Sequence, residues 1–255
     1  MRRQAESIFD LEKRVYAGDP FDGIEKCRLY DRDIRSSMII PMQHMLSLVE
    51  PFCKPGAKVL DVGCGSGLLS LRLAGRFPGV EVYGIDSNDH FLTVAQENLI
   101  LANLVGYPGE FSFEWGRPHR LPVEDNSVDV VLSFCALHRW NDPINTLKEC
   151  ERVCEDSGLV IIYDLARDAE DGMISFILQY TGTGHQDFMD AMRASFTMDE
   201  MAEFVRQSGV SDWQVASEAV NLIVTSQPMD TSYSVGEASI YENVFRKGPE
   251  AVPAV

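Results

Sequence analysis

The clearest chemical signal in the sequence is a set of glycines and aspartates placed around two short apolar runs. The stretch VLDVGCGSG carries Gly63, Gly65 and Gly67 directly after the first run, with Asp61 two residues before the first glycine. A glycine turn between a strand and a helix lets a ligand approach the backbone N–H groups that the start of the helix leaves unpaired. Asp86 ends the second run, where a carboxylate can accept two hydrogen bonds from a ribose diol. The pattern predicts a site for a ligand that contains a nucleoside.

The charge beside this loop narrows the class of ligand. The GxGxG spacing lacks the extra residue of the dinucleotide fingerprint GxGxxG, and no lysine follows the loop as it does in a P-loop. The carboxylate of Asp61 disfavours a pyrophosphate at this place and favours a cation. A ligand with ribose and adenine, a positive charge and no phosphate suits these features, and S-adenosylmethionine is such a compound.

Alternating strand and helix patterns must hold these residues at one edge of a sheet. Five short runs are typical of strands, namely AKVLDV, VEVYGID, EFSFEW, VDVVLSF and GLVIIYDL, and helical patterns lie between most of them. This alternation predicts βαβ units, a parallel sheet and helices on both faces. Two later runs, DWQVASEA and NLIVTSQ, are close enough to pair as a hairpin, and Thr197 and Glu200 form a capping box at the helix before them.

Three motifs in register resemble a known family. VLDVGCGSG, GIDSN and LPVEDNSVDVVLSFCALH, in this order and spacing, are similar to the class I S-adenosylmethionine-dependent methyltransferases. The branch is the ubiquinone/menaquinone-biosynthesis type, also called methyltransferase type 11, and the resemblance is good over residues 55–165. It implies an α/β, Rossmann-like sheet of seven mostly parallel strands with helices on both faces. Because substrate walls in this architecture come from segments that cover the carboxyl ends of the strands, we expect the N-terminal helices and a helical insertion after the fifth strand to form a lid.

The resemblance and the periodicity together predict three parts of the chain. Residues 1–54 form an N-terminal helical cap, in which Ile8, Leu11 and Val15 recur at helical spacing and Pro41 interrupts a later apolar face. Residues 55–227 form the methyltransferase domain, with the helical insertion at about 166–196. Residues 228–255 form a C-terminal tail of weak periodicity.

The resemblance also implies roles around the adenosine part of the cofactor. Asp86 would bind the ribose hydroxyls, and Ser87 and Asn88 would flank the adenine. Arg117 stands where the family usually carries an acidic or amide side chain, and arginine has only donors to offer the adenine amino group. Either Arg117 points away and Pro118 and His119 shape the pocket, or backbone groups hold the adenine.

Further residues would lie around the methionine part and its sulfonium. Asp61 would sit near the methionine amino group. The others implied by the resemblance are Gly63, Cys64 and Gly65 along the methionine and ribose, and Ser133, Phe134 and Cys135 beneath the cofactor.

Catalysis by this chemistry needs little more than alignment of a nucleophile with the reactive methyl group and exclusion of water. A phenol or an activated carbon also needs a base, and His138 follows the fourth strand on the rim where substrate should approach. The alternative is a structural loop histidine. Tyr30, Tyr180 and His185 are further substrate-site candidates, because they lie in the segments that should cover the carboxyl ends of the strands.

Composition sets limits on partners and location. The 255 residues carry a formal net charge of -17, which opposes binding to nucleic acid or to anionic lipid surfaces. No apolar run is long enough to span a membrane, and the start lacks the apolar core of a secretory signal. We therefore expect a cytoplasmic protein, a monomer or homodimer. The six scattered cysteines favour reduced thiols over a metal site.

These observations predict a methyltransferase that uses S-adenosylmethionine and acts on a small, partly apolar molecule. Three alternatives stay open at this point. The chain could methylate a protein or a tRNA, or it could bind the cofactor as a non-catalytic scaffold. A nicotinamide-dependent oxidoreductase is disfavoured because the GxGxxG fingerprint is missing.

Overall fold

A seven-stranded sheet forms the centre of the molecule. The computed structural model describes residues 7–16, 18, 20–106, 109–181, 184–210 and 212–228. The strands are β1 (Lys58–Val62), β2 (Glu81–Asp86), β3 (Glu110–Trp115), β4 (Val128–Phe134), β5 (Cys154–Leu165), β6 (Gln214–Glu218) and β7 (Asn221–Thr225). Their order is β3-β2-β1-β4-β5-β7-β6. Strands β1 to β5 pair in parallel, and β7 is antiparallel to both β5 and β6. The predicted α/β fold with a final hairpin is confirmed.

Helices cover both faces of this sheet. They are α1 (Ile24–Ser37), α2 (Ile39–Val49), α3 (Leu68–Arg76), α4 (Asp89–Leu104), α5 (Pro143–Val153), α6 (Asp171–Leu178), α7 (His185–Ala194) and α8 (Met198–Ser208). Successive strand residues point to opposite faces, so Val130 packs into one core and Val131 into the other. The first core contains buried residues of α2 and α3, and the second contains buried residues of α5 and α8. Nearly continuous apolar strands such as β4 follow from this two-sided burial.

Local sequence explains where the helices next to the sheet begin. The side chain of Asn88 caps α4 by accepting hydrogen bonds from the backbone N–H groups of His90 and Phe91. Thr197 and Glu200 form the predicted capping box at α8. Pro41 lies in the first turn of α2, where a missing N–H breaks no helical hydrogen bond, and the helix therefore continues past it.

The first stretch of the predicted N-terminal cap differs from the expectation. Within residues 7–16 the chain forms turns and bends and no helix, although Ile8, Leu11 and Val15 have helical spacing. Only Leu11 of these three is buried, whereas Ile8 is 77% exposed and Val15 is 54% exposed. Leu11 packs into a separate apolar cluster with Ile174 of α6. The helical prediction for this stretch is wrong, because only Leu11 is buried and the three apolar side chains do not share one buried face.

One buried arginine fastens this N-terminal stretch to distant parts of the chain. The guanidinium of Arg167 donates to the carbonyl of Leu11 at 2.6 Å and to the carbonyl of Ser195 at 3.0 Å. It also pairs with Glu200 in the first turn of α8. The side chain of Arg14 adds a hydrogen bond to the carbonyl of Ala194 at 2.6 Å. The front of the chain is thereby held against the insertion that contains α6 and α7.

Two further properties concern the described residues as a group. No helix among them is both long and apolar enough to cross a membrane. Histidine, cysteine and acidic side chains nowhere gather in threes as a metal site would require, within the part of the chain that the structure describes. The predicted tail at 228–255 lies outside the described residues except for Pro228.

Candidate functional site

A cavity of about 330 Å³ opens at the carboxyl ends of β1, β2 and β4. This volume lies within the range of roughly 300 to 1,000 Å³ that is usual for small-molecule sites. Its floor comes from the loops after the three strands, and its roof comes from the chain around Phe21 and from α1 and α2. Parallel strands bring their carboxyl ends to one edge of the sheet, which explains why distant motifs of the sequence meet here.

The glycine loop after β1 is shaped by one close backbone approach. Gly63 has a φ of 80°, and its N–H donates to the carbonyl of Ile85 at 2.7 Å. A Cβ at this position would lie 2.6 Å from the Cβ of Ala136, which follows β4. Any side chain here would therefore be both strained and in collision. Only glycine at this position is compatible with the backbone conformation of the loop.

Asp86 fixes the relation between the ends of β1 and β2. One carboxylate oxygen accepts from the backbone N–H of Gly65 at 2.9 Å, and the other accepts from that of Asn88 at 2.8 Å. The carboxylate is thus oriented by the loop after β1 and by the cap of α4. All three residues line the cavity, together with Ser87.

Asp61 is a buried carboxyl group at the end of β1. It accepts a hydrogen bond of 2.6 Å from the hydroxyl of Ser70 on α3. Burial raises the pKa of Asp61 to about 7, with a smaller contribution in the same direction from the negative charge of Asp86, while the Ser70 hydrogen bond opposes the rise. A cation in the cavity would favour the ionised form of this group.

Several predicted site residues line the cavity together. They are Asp61, Gly63, Cys64, Gly65, Asp86, Ser87, Asn88, Phe134, Cys135 and, from the cap, Tyr30. Phe134 is held by stacking on Tyr163, with ring centroids 5.5 Å apart. Tyr30 lies between Phe21 and Phe91, at 4.8 and 5.7 Å between ring centroids.

Three residues predicted to contact the cofactor are not among the lining residues. Ser133 is buried within the sheet, where its hydroxyl donates to the carbonyl of Val62 at 2.7 Å. Arg117 is exposed, and its guanidinium lies 5.7 Å from the centre of the Trp115 ring. This agrees with the alternative in which Arg117 points away. Pro118 is half-buried next to it and does not line the cavity either.

The expected position of His138 at the rim is wrong. The residue is only 5% exposed, in a short 3-10 turn at Leu137–Arg139, and it does not line the cavity. Its Nδ1 atom lies 2.9 Å from a carboxylate oxygen of Asp164. Burial acts to raise the pKa of Asp164, but the interaction with His138 and the hydrogen bonds from backbone N–H groups together lower it. Its buried Nε2 atom has no hydrogen-bond partner among the described residues. The turn buries His138 and presents Arg139 to the cavity instead.

The two candidates from the insertion also lie elsewhere. Tyr180 is 67% exposed and packs its ring against Phe176, at 4.9 Å between centroids. His185 is exposed at the start of α7, and its Nε2 atom contacts the carbonyl of Leu178. Neither lines the cavity, because the insertion packs on the N-terminal stretch and not over the strand ends.

A polar network that sequence reasoning missed joins α1 to the glycine loop. The amide of Asn98 on α4 donates to Asp31 at 3.1 Å and to the carbonyl of Ser66 at 2.9 Å. Arg35 donates to the amide oxygen of Asn98 at 2.8 Å and pairs with Asp31. The spacing of Asp31 and Arg35, four residues apart on a helix, was the available signal. Ser66 itself lines the cavity, and its buried hydroxyl has no partner within the described chain.

Comparisons with known proteins agree on one class of domain. Residues 60–162 match the family model described as a methyltransferase domain. A ubiquinone biosynthesis O-methyltransferase of Aromatoleum aromaticum is 27% identical over 187 residues, which cover 71% of this chain and 73% of that protein. A demethylmenaquinone methyltransferase of Thermotoga maritima is 32% identical over 108 residues, which cover 42% and 43%. A solved SAM-dependent methyltransferase of Aquifex aeolicus shares the fold with a TM-score of 0.58 at 20% identity, over 80% of this chain and 97% of that one.

Proposed function

We propose that this S-adenosylmethionine-dependent methyltransferase, whose residues 60–162 match a methyltransferase domain, methylates a small, partly apolar molecule. The observation that carries the proposal is a cavity lined by both carboxylates and apolar side chains. Its lining includes the carboxylates of Asp61 and Asp86 beside the glycine loop, together with Ile34 of α1, Met42 of α2 and Met38 between these two helices. The match to a methyltransferase domain and the shared fold with a SAM-dependent methyltransferase of Aquifex aeolicus support the enzyme class and cofactor that the sequence predicts.

The residues present fit S-adenosylmethionine. Two carboxylates, Asp61 and Asp86, face a cavity that would receive a sulfonium and an ammonium group. Ser66 adds a buried hydroxyl that lacks a hydrogen-bond partner in the described chain, and a polar group of the ligand would supply that partner. The orientation of Asp86 toward the loop after β1 suits a ribose diol placed between the two strand ends.

When bound, S-adenosylmethionine supplies a methyl group on a positively charged sulfur. Asp61 would balance the positive charge of the ligand, and Asp86 would hold the ribose hydroxyls. Phe134 and the apolar side chains of α1 and α2 would exclude water and orient the acceptor in line with that bond. The protein thereby contributes mainly positioning and electrostatic stabilisation.

A small acceptor is supported by the shape and the charge of the molecule. The helices α1 and α2 roof the cavity, which leaves room for a compact acceptor and little for a folded macromolecule. The net charge of -17 works against tRNA as the acceptor. The names of two relatives refer to ubiquinone biosynthesis and to demethylmenaquinone, and they favour an apolar acceptor.

Calorimetric titration and methyl transfer test the proposal together. S-adenosylmethionine and S-adenosylhomocysteine should both bind, and Asp86→Ala should weaken both by about tenfold or more, since a hydrogen bond to a charged group contributes about 1.5 to 3 kcal/mol. Asp89→Ala is the matched control, because this exposed aspartate starts α4 outside the cavity.

The acceptor class is tested with a labelled methyl group. Incubation with cell extract separated into small molecules, protein and RNA should place the label in the small-molecule fraction. Label confined to protein or RNA would contradict the acceptor class. Cofactor binding without any transfer would favour a scaffold.

A further inference from the structure

Arg139 is a cation in an otherwise acidic cavity. It is the single lysine or arginine among the described residues that line the cavity, which also contains the carboxylates of Asp61 and Asp86. It ends the turn after β4 and is half-buried. Its guanidinium lies over the ring of Phe21, 4.8 Å from the ring centre.

The guanidinium of Arg139 has no ionic partner in the described chain. No carboxylate among the described residues pairs with it, and no described acceptor takes a hydrogen bond from its side chain. Other arginines near the N-terminal stretch behave differently, since Arg14 and Arg167 each donate to carbonyl groups. A half-buried guanidinium with unused donors is costly to desolvate, and an anionic ligand would offset that cost.

Tyr30 provides a second donor, and it packs on the ring of Phe21 as Arg139 does. Its ring is fixed by Phe21 and Phe91, and its hydroxyl has no hydrogen-bond partner among the described residues. Burial raises the pKa of the Tyr30 phenol, so that the hydroxyl stays protonated and able to donate, and the nearby charge of Arg139 opposes that rise. Cys135 lines the same cavity, where burial raises the pKa of its thiol and the charge of Arg139 opposes that rise.

We propose that Arg139 and Tyr30 together bind a carboxylate group of a ligand in this cavity. The geometry pairs a fork of guanidinium donors with one hydroxyl, above aromatic rings that would contact an apolar neighbour of the carboxylate. Two sources present such a group: the amino-acid part of the cofactor and an acidic acceptor with an apolar body. The inference rests on the proposed function, because it concerns the same site, and an acidic acceptor would define the substrate class.

The first arm of the test addresses the cofactor. Wild-type protein, Arg139→Gln and Tyr30→Phe are titrated with S-adenosylhomocysteine and with 5′-methylthioadenosine, which lacks the amino-acid part. A cofactor carboxylate at Arg139 would make Arg139→Gln bind S-adenosylhomocysteine about tenfold or more weakly, with methylthioadenosine unchanged. Tyr30→Phe would show a smaller loss of the same kind.

The second arm addresses the acceptor. Protein saturated with S-adenosylhomocysteine is titrated with phenylpropanoate and with its neutral amide. An acceptor carboxylate at Arg139 would make wild type prefer the acid over the amide by about tenfold, and Arg139→Gln would lose that preference. Arg117→Gln is the matched control, because this exposed arginine lies outside the cavity and carries the same charge.

The outcomes separate the inference from the function on which it rests. A selective loss in either arm supports the anion site and identifies the source of the carboxylate. The anion site alone would be overturned if the Arg139→Gln variant kept both affinity ratios of wild type, that of S-adenosylhomocysteine to methylthioadenosine and that of the acid to its amide. S-adenosylhomocysteine would in that case still bind and methyl groups would still be transferred. Failure of wild-type protein to transfer methyl groups to any small molecule would count against the proposed function instead.

Discussion

Asp61 combines deep burial with a position beside the expected positive charge of the ligand. Its pKa of about 7 in the folded, ligand-free protein lies above the value of 3.8 that an exposed aspartate has. The folded state therefore holds this proton more tightly than the unfolded state does. Stability from this group is fully present below about pH 4 and is lost as the pH rises toward and through 7.

Replacement of Asp61 by asparagine should remove this pH dependence. Relative to wild type, Asp61→Asn should gain stability as the pH rises from 4 to 8, by an amount on the order of 4 kcal/mol at most, since each pKa unit corresponds to about 1.4 kcal/mol. Urea denaturation of both ligand-free proteins at several pH values measures the difference.

Ser70→Ala is the companion variant for this measurement. The Ser70 hydroxyl lowers the pKa of Asp61, so its removal should shift the midpoint of the stability loss to higher pH. Parallel stability curves for wild type and Asp61→Asn would show that Asp61 does not titrate in this range.

Some single residues of the site were within reach of sequence reasoning and others were not. Asp61, Gly63 and Asp86 belong to short motifs whose geometry is fixed by the strand, turn and helix around them. Arg139 and Ser66 depend on how segments far apart in the chain pack against each other. Residue type alone favours His138 over Arg139 as the functional group. The 3-10 turn at Leu137–Arg139 instead buries His138 and directs Arg139 to the cavity.

At the scale of elements, α1 is fastened to the sheet by polar contacts on α4 as well as by apolar packing. Asn98 satisfies Asp31, Arg35 and the carbonyl of Ser66 at once, and all these contacts are buried or half-buried. Arg28, about one turn before Asp31 on α1, pairs with Glu97 of α4 on the exposed side of the contact between the two helices. The roof of the cavity is thus tied to the glycine loop on its floor.

Removal of the Asn98 amide should loosen α1. Asn98→Ala leaves Asp31 and the Ser66 carbonyl with fewer partners, and we expect a loss of about 2 kcal/mol in the free energy of unfolding. Hydrogen exchange should become faster in α1 than in α5, which packs on the other face of the sheet. Asn103→Ala on the exposed end of α4 is the control. Equal exchange rates in the two variants would contradict a fastening role for Asn98.

Sequence patterns identified the elements of the sheet more reliably than those of the cap. Strands β3 and β4 coincide with the predicted runs because burial on one or both faces leaves a direct periodic signal. Residues 7–16 gave a false helical signal, since three apolar residues at the right spacing do not form a helix when only Leu11 is buried. The positions of Tyr180 and His185 depended on where the insertion packs, which no local pattern encodes.

At the scale of the whole molecule, charge imbalance is the dominant feature. The chain carries 39 acidic and 22 basic side chains, so repulsion between like charges opposes the folded state. Raising NaCl from about 0.01 to 0.1 M shortens the screening length from about 30 to about 10 Å. The melting temperature should therefore rise with salt, as measured by calorimetry. Glycine betaine at equal concentration, which carries no net charge, should give a smaller rise; an equal rise would exclude screening as the cause.

The three contacts of Arg167 have a consequence for the order in which the chain folds during synthesis. A ribosome releases Leu11 long before Ser195 and Glu200, and the guanidinium that joins them becomes useful only when all three have left the exit tunnel. Leu11 can therefore complete its link through Arg167 only after strands β1 to β5 and the insertion have been synthesised. We therefore expect residues 7–16 to complete their contacts late in the folding of the described chain.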